Sequence, residues 1–275
     1  MESKIAKVLN LRYEPVAILW VDDKPEGAAQ FRKGERGCVM EMFARSALGE
    51  TVAFDRETIG CPGGATGLGF GNWYERFPGG LEGFYYFLSV GFENWDRGRE
   101  IARRLKAEGV VQDKIVEKIV HGERYKKTPD LVKKFVEGLP VVNVPKKYVV
   151  FKPMRNVGGG DEPVVVVFTV NPHQLSALIV LANYDRDSCD NVVAPMGAGC
   201  HQIGIYAYRE AFSEKPRAVI GLTDLDARMN VRSRLGDDVF TFAVPYRMFV
   251  SMEKNVEGSF LEVGTWNEVK KYLDA

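Results

Sequence analysis

The sequence predicts an α/β or α+β fold, a mixed sheet flanked by helices, and three observations carry that expectation. Short runs rich in Val, Ile and Phe recur along the chain, at 15–21, 147–152 and 164–170, as buried strands do. Between them lie segments whose apolar residues return at helical spacing, such as 38–48 and 129–137. With 275 residues, 45% of them hydrophobic, the chain can also bury a full-sized core.

Taken in order, residues 6–21 join a short amphipathic opening to an apolar strand that ends in the turn Asp22-Asp23-Lys24-Pro25. Over 38–48 the positions of Val39, Met40, Met42, Phe43 and Leu48 fit a helix, with Gly49 where a C-terminal cap belongs. Residues 51–54 predict a short strand, and 59–71 carry too much glycine for an element interior, so a loop is expected there. Helices are predicted at 81–90, 97–107, 114–120 and 129–137, the last opened by Thr128-Pro129 in cap and first-position order. Pro140 and Pro145 mark an extended connection. The organisation expected is one compact domain over 1–275 with a soft boundary near 140–146.

Beyond that boundary, strands at 147–152 and 164–170 flank Gly158-Gly159-Gly160, and Asn171-Pro172 caps a helix running to about Asn183. A single helix over 200–212, strands at 217–222 and 239–244, and a closing helix at 266–273 complete the reading. An echo links Pro15-Val16 with Pro163-Val164 and Gly60-Cys61 with Gly199-Cys200. It is compatible with two related halves.

Charge excludes several function classes. Lys+Arg and Asp+Glu both number 37, so no global field is available to hold nucleic acid or an anionic membrane. No apolar run approaches the roughly 20 residues of a membrane helix. Met1-Glu2-Ser3-Lys4 opens no secretory signal pattern, and a cytoplasmic protein is expected.

The chemistry lies in four cysteines, too few for a disulfide scaffold. Three follow glycine: Gly37-Cys38, Gly60-Cys61 and Gly199-Cys200. Glycine permits a tight turn there and lets backbone amides face a bound sulfur. Cys61 continues as Pro62-Gly63-Gly64, and proline directly after a ligating cysteine is also found in bacterial ferredoxin runs. The spacing from Cys38 to Cys61 is far longer than in those runs, so the fold would have to assemble the site. Cys189 lies in Ser188-Cys189-Asp190-Asn191, and Cys200 precedes His201. Helix starts lower thiol pKa values, which makes Cys200 a candidate ligand or nucleophile with His201 or Asp190 assisting. Taken singly, each cysteine is better explained as a small buried hydrophobe. Three in glycine turns favour a shared site.

Zinc ranks second to iron–sulfur, because no Cys-x-x-Cys or His-x-x-x-His pair is present. Gly67-Leu68-Gly69-Phe70-Gly71 does not match a dinucleotide loop. Asp224, Asp226 and Arg228, after a strand, could orient a polar substrate, but read first as a helix cap with a surface pair. The aromatics Trp73-Tyr74 and Phe84-Tyr85-Tyr86-Phe87 read as core or pocket wall.

Through Arg36-Gly37-Cys38, Ala44-Arg45 to Gly49, Cys61-Pro62-Gly63-Gly64 with Leu68-Gly69, and Cys189-Asp190-Asn191 to Gly199-Cys200, the chain resembles the prokaryotic family known as domain of unknown function 169. The resemblance spans nearly the whole chain. It implies a cytosolic protein of oxygen-poor metabolism and assigns no reaction.

The expectation is a 4Fe-4S cluster held by Cys38, Cys61 and Cys200, with Cys189 as fourth ligand or neighbouring thiol, serving redox or Lewis-acid chemistry. The partner would be a small-molecule substrate or an electron-transfer protein, and assembly with further copies of the chain is left open. Two alternatives stand beside it: a metal-free thiol enzyme using Cys200, and a non-enzymatic module whose glycine loops wall a small-molecule pocket.

Overall fold

The computed structural model describes residues 1–35, 37–109 and 113–273, so Arg36 of the first cysteine motif lies outside the described residues. Two compact units share the chain: Met1–Gly71 with Val142–Ala275, and Asn72–Val141.

The first unit opens with α1 (Lys4–Val8), β1 (Val16–Val21), α2 (Val39–Ala47), β2 (Val52–Phe54) and α3 (Pro62–Gly67). The second unit holds α4 (Gly80–Phe87), α5 (Asp96–Glu108), α6 (Asp113–His121) and α7 (Pro129–Glu137). Its own aromatic core gathers Phe92, Trp95, Ile101 and Ile119, with the Tyr86 ring stacked on Trp95 at 5.0 Å. The first unit resumes with β3 (Tyr148–Pro153), β4 (Pro163–Val170), α8 (Pro172–Asn183), β5 (Val192–Val193), α9 (Gly199–Ile203) and α10 (Ile205–Ala211). It closes with β6 (Ala218–Gly221), α11 (Leu225–Leu235), β7 (Phe240–Pro245), α12 (Tyr246–Lys254) and α13 (Gly264–Leu273).

The fold is α+β, with an open, mixed sheet that among the described residues has seven strands in the order β2-β3-β1-β4-β7-β6-β5. All neighbours are antiparallel except β5 and β6. β4 is buried on both sides, since Val165, Val166, Val167 and Phe168 are all fully enclosed, which is why it reads as a continuous apolar run rather than an alternating one. Leu19, Val166, Phe168, Phe242 and Val244 face α1, α8, α12 and α13. On the opposite side, Phe151 meets Phe43 of α2 and Phe54 of β2.

The strand order repeats about the central β1–β4 pair: β3 then β2 lie outward of β1, and β7 then β6 lie outward of β4. In each half the first strand is flanked by the last and then by the middle one. The two Gly-Cys segments of the sequence echo head α3 and α9.

Two expectations are corrected. Residues 59–71 are not all loop, because Pro62–Gly67 forms a helical turn and a half. Pro62 occupies its first turn, and the Cys61 sulfur accepts from the Gly64 amide at 3.3 Å. The continuous helix expected over 200–212 breaks at Gly204, whose backbone leaves helical geometry (φ −105, ψ −107). The position requires glycine, since a Cβ at Gly204 would collide with the Gly67 carbonyl. The helices α11 and α12 and the short β5 were not separately predicted.

Gly204→Ala is therefore expected to cost about 3 kcal/mol, at the high end for overpacking because the obstacle is backbone. Gly159→Ala, in open space, is expected to stay within about 0.5 kcal/mol of the native chain. Equilibrium urea unfolding of the two variants checks both.

Candidate functional site

Four helix starts converge on one face of the first unit. Cys38 is the N-cap of α2, Cys61 the N-cap of α3, Cys200 lies in the first turn of α9, and Asp224 is the N-cap of α11. Small residues let these segments approach. A Cβ on Gly64 would stand 2.7 Å from Val39 Cγ2, beside Cys38, and one on Gly67 would stand 2.9 Å from Cys200 Sγ. A Cβ on Gly199 would meet Met40 of α2 and Ala227 of α11, both at 3.0 Å.

Hydrogen bonds fix the geometry. The Gly199 amide donates to Asp224 Oδ2 at 3.2 Å, and the Asp226 amide to Asp224 Oδ1 at 3.1 Å, so one carboxylate ties the starts of α9 and α11 together. The Cys200 thiol donates to the Gly63 carbonyl at 3.3 Å. Gln202 Nε2 reaches the Pro195 carbonyl at 2.9 Å and Thr223 Oγ1 at 2.6 Å. Leu222, fully enclosed between β6 and this segment, has φ +58. A bulky residue in the left-handed region is an outlier that surrounding structure must hold in place, and such strain gathers at functional sites.

The electrostatics are one-sided. Burial pushes the Cys200 thiol well above its ordinary value, and the negative charges of Cys61, Cys38 and Asp224 push it further. Burial likewise raises Cys61, opposed by the Gly64 and Gly63 amides and reinforced by Cys38 and Asp224. For Cys38 burial again dominates, while the Glu41 and Met40 amides and the Asn230 side chain favour the thiolate. Burial raises Asp224 too, against the pull of the Gly199 and Asp226 amides. Cys38 and Cys61 are half-buried and Cys200 is buried, so the site is sheltered with a partly open side.

The remaining sequence candidates divide. His201 is buried beside Cys200, and desolvation pushes its pKa down to about 4, opposed by a hydrogen bond to the Gly63 backbone. Gly63 and Gly64 present their amides to Cys61, and Pro62 and Gly199 open α3 and α9. Gly37 is glycine because the Phe31 ring lies where a Cβ would go. Gly60 is exposed ahead of Cys61. Cys189 and Asp190 are exposed and precede β5, whereas Cys200 follows it. The Asn191 carbonyl pairs with the Ala218 amide at the entry of β6, and Asp190 acts on Arg217 there. β5 and β6 run parallel, so this is the opposite end of the strands from Asp224 and Cys200. The structure thus brings Cys38, Cys61 and Cys200 together and leaves Cys189 and Asp190 apart. Asp224, read in the sequence as a cap, is the residue that reasoning undervalued. Its position directly after a β-run and an apolar Leu222 was the available signal.

Among the described residues, no three His, Cys, Asp or Glu side chains stand close enough to hold one metal ion. Thiolates around a single zinc lie ~2.3 Å from it and so within about 4 Å of one another. A larger centre separates its ligands more widely. No helix among the described residues is long and apolar enough to cross a membrane.

Fold and site together define an open-sheet α+β protein with a sheltered thiol and carboxylate cluster at converging helix starts. The chain belongs to the family described as DUF169, "Uncharacterised ArCR", whose family model matches residues 4–255. No curated protein and no solved structure matches it.

Two outcomes follow for the protein stripped of any bound metal. Iodoacetamide is expected to modify exposed Cys189 first and Cys200 last, as peptide mass spectrometry over a time course would read. His201 has a folded pKa of about 4 against an ordinary 6.5. Between those values the unfolded chain takes up a proton that the folded chain declines. The stability His201 contributes at neutral pH is therefore lost as pH falls through that window. The loss is on the order of 3 kcal/mol more in the native chain than in His201→Gln, measured by urea unfolding at pH 7 and pH 4.

Proposed function

We propose that the chain holds a 4Fe-4S cluster through Cys38, Cys61 and Cys200 and serves redox or Lewis-acid chemistry on a small molecule in the cytosol of anaerobes. The observation that carries this reading is the convergence of three thiols and the Asp224 carboxylate, in which Cys61, Cys38 and Asp224 raise the Cys200 pKa and Cys38 and Asp224 raise that of Cys61. Sheltered groups of one sign are costly to ionise together. A bound cationic centre reverses that cost, because its ligands bind deprotonated. The amides at the starts of α2 and α3 already favour thiolate, which is the protein's own contribution to such binding.

The reading favours a cluster because three of the converging groups are cysteines, the ligands that iron–sulfur centres use. Cys38, Cys61 and Cys200 would supply three ligands. Asp224, with both oxygens engaged by amides yet still bearing lone pairs, stands where Cys189 does not. When bound, a cluster with one iron not held by cysteine supplies an open coordination site or an electron couple. The half-buried side at Cys38 and Cys61 is the approach for a small substrate. The metal-free thiol reading has less support, since the Cys200 S–H is spent on the Gly63 carbonyl and its thiol is pushed well up.

Anaerobically purified protein is expected to be brown and to carry about four iron and four sulfide per chain. Cys38→Ala, Cys61→Ala and Cys200→Ala should lose most of that content, while Cys189→Ala keeps it. Colourless, iron-free protein from cells supplied with iron would overturn the proposal.

A further inference from the structure

We propose that the second unit carries a binding site for a small phosphate-bearing anion, formed where the α6–α7 connection meets the segment after α4. A cavity of about 490 Å³ opens there, and among the described residues Arg124, Lys126 and Lys127 line it with Glu93 as the one carboxylate. The volume lies within the roughly 300–1,000 Å³ of small-molecule sites. The charge balance favours a ligand bearing more than one negative charge. Overall neutrality of the chain and the limited size of the cavity point to a small molecule rather than a nucleic acid.

The walls are built rather than incidental. The Glu123, Arg124 and Lys126 amides donate to the Phe87, Ser89 and Leu88 carbonyls at 2.7, 3.1 and 3.2 Å, pinning the two segments side by side. Gly91 and Gly122, both at positive φ, permit this approach, because a Cβ on either would collide with the facing backbone. Arg124 also has a positive φ, +59, where a glycine would sit without strain. Its side chain spans the rim, with Nε 3.3 Å from the His121 carbonyl and Nη2 3.5 Å from Glu93. His121 Nδ1 lies 3.1 Å from the other Glu93 oxygen. Lys126 lines the cavity with its Nζ over the Phe135 ring at 5.7 Å.

An arginine kept in a conformation that suits glycine, at the edge of a cavity with two lysines, is placed for its guanidinium fork. That fork matches phosphate oxygens in pairs, and the lysines add point charge. Glu93 holds the fork in orientation until an anion competes for it. The site shares no residue with the thiol cluster and stands independently of the cluster proposal.

The test is isothermal titration of the full chain with inorganic pyrophosphate and with glucose 6-phosphate at low salt, repeated for Lys126→Ala, Lys127→Ala and Arg124→Gly. Binding of pyrophosphate alone would identify a bare anion as the ligand, and binding of both a phosphate group on a larger molecule. Each substitution is expected to weaken affinity about tenfold, and Arg124→Gly should leave the melting temperature unchanged or higher. Absence of millimolar binding of either probe would overturn the proposal, as would equal affinity in all variants. A lowered melting temperature in Arg124→Gly with unchanged affinity would show the arginine to be only a cap for α6.

Discussion

Backbone contact between α3 and α9 is the constraint on which the chemistry of the first unit depends. Gly67 and Gly204 meet where neither can carry a side chain, and that approach sets the Cys200 sulfur over the α3 backbone, with its proton on the Gly63 carbonyl. Any larger residue would force the two short helices apart and part Cys61 from Cys200. The break between α9 and α10 falls at this same contact, at Gly204.

Around this contact, the other two elements are held by a single carboxylate and by packing. Asp224 receives amides from the starts of α9 and α11, and Met40, in the first turn after Cys38, rests on Gly199. The consequence is electrostatic: four groups able to carry negative charge share one sheltered region, and helix-start amides oppose their repulsion. Such an arrangement is poor ground for free thiolates and good ground for a positively charged centre that all of them can reach. The strained backbone at Leu222 belongs to the same design, since it turns the chain from β6 into the Asp224 cap.

Much of this was legible in the sequence. The apolar runs located β1, β3, β4, β6 and β7, and cap residues such as Thr128-Pro129 and Asn171-Pro172 located α7 and α8, because local propensity and burial agree there. Glycine before cysteine pointed to tight turns presenting sulfur, and for Cys61 and Cys200 those turns are helix starts. What the sequence hid was tertiary. The glycines of 62–67 lower helix propensity, yet helix forms because close packing against α9 and the Cys61 cap outweigh it. Cys189 and Cys200 are close in sequence, but β5 lies between them, so that one precedes the strand and the other follows it. Proximity along the chain was the wrong guide, and Asp224, remote in sequence from Cys38 and Cys61, was the true neighbour.

The most direct measurement of the central claim is iron K-edge X-ray absorption on anaerobically prepared protein. The account predicts iron surrounded mainly by sulfur with a neighbouring-iron signal, both abolished in Cys200→Ala. Iron bound only by oxygen and nitrogen, or a sulfur signal indifferent to Cys200, would contradict it.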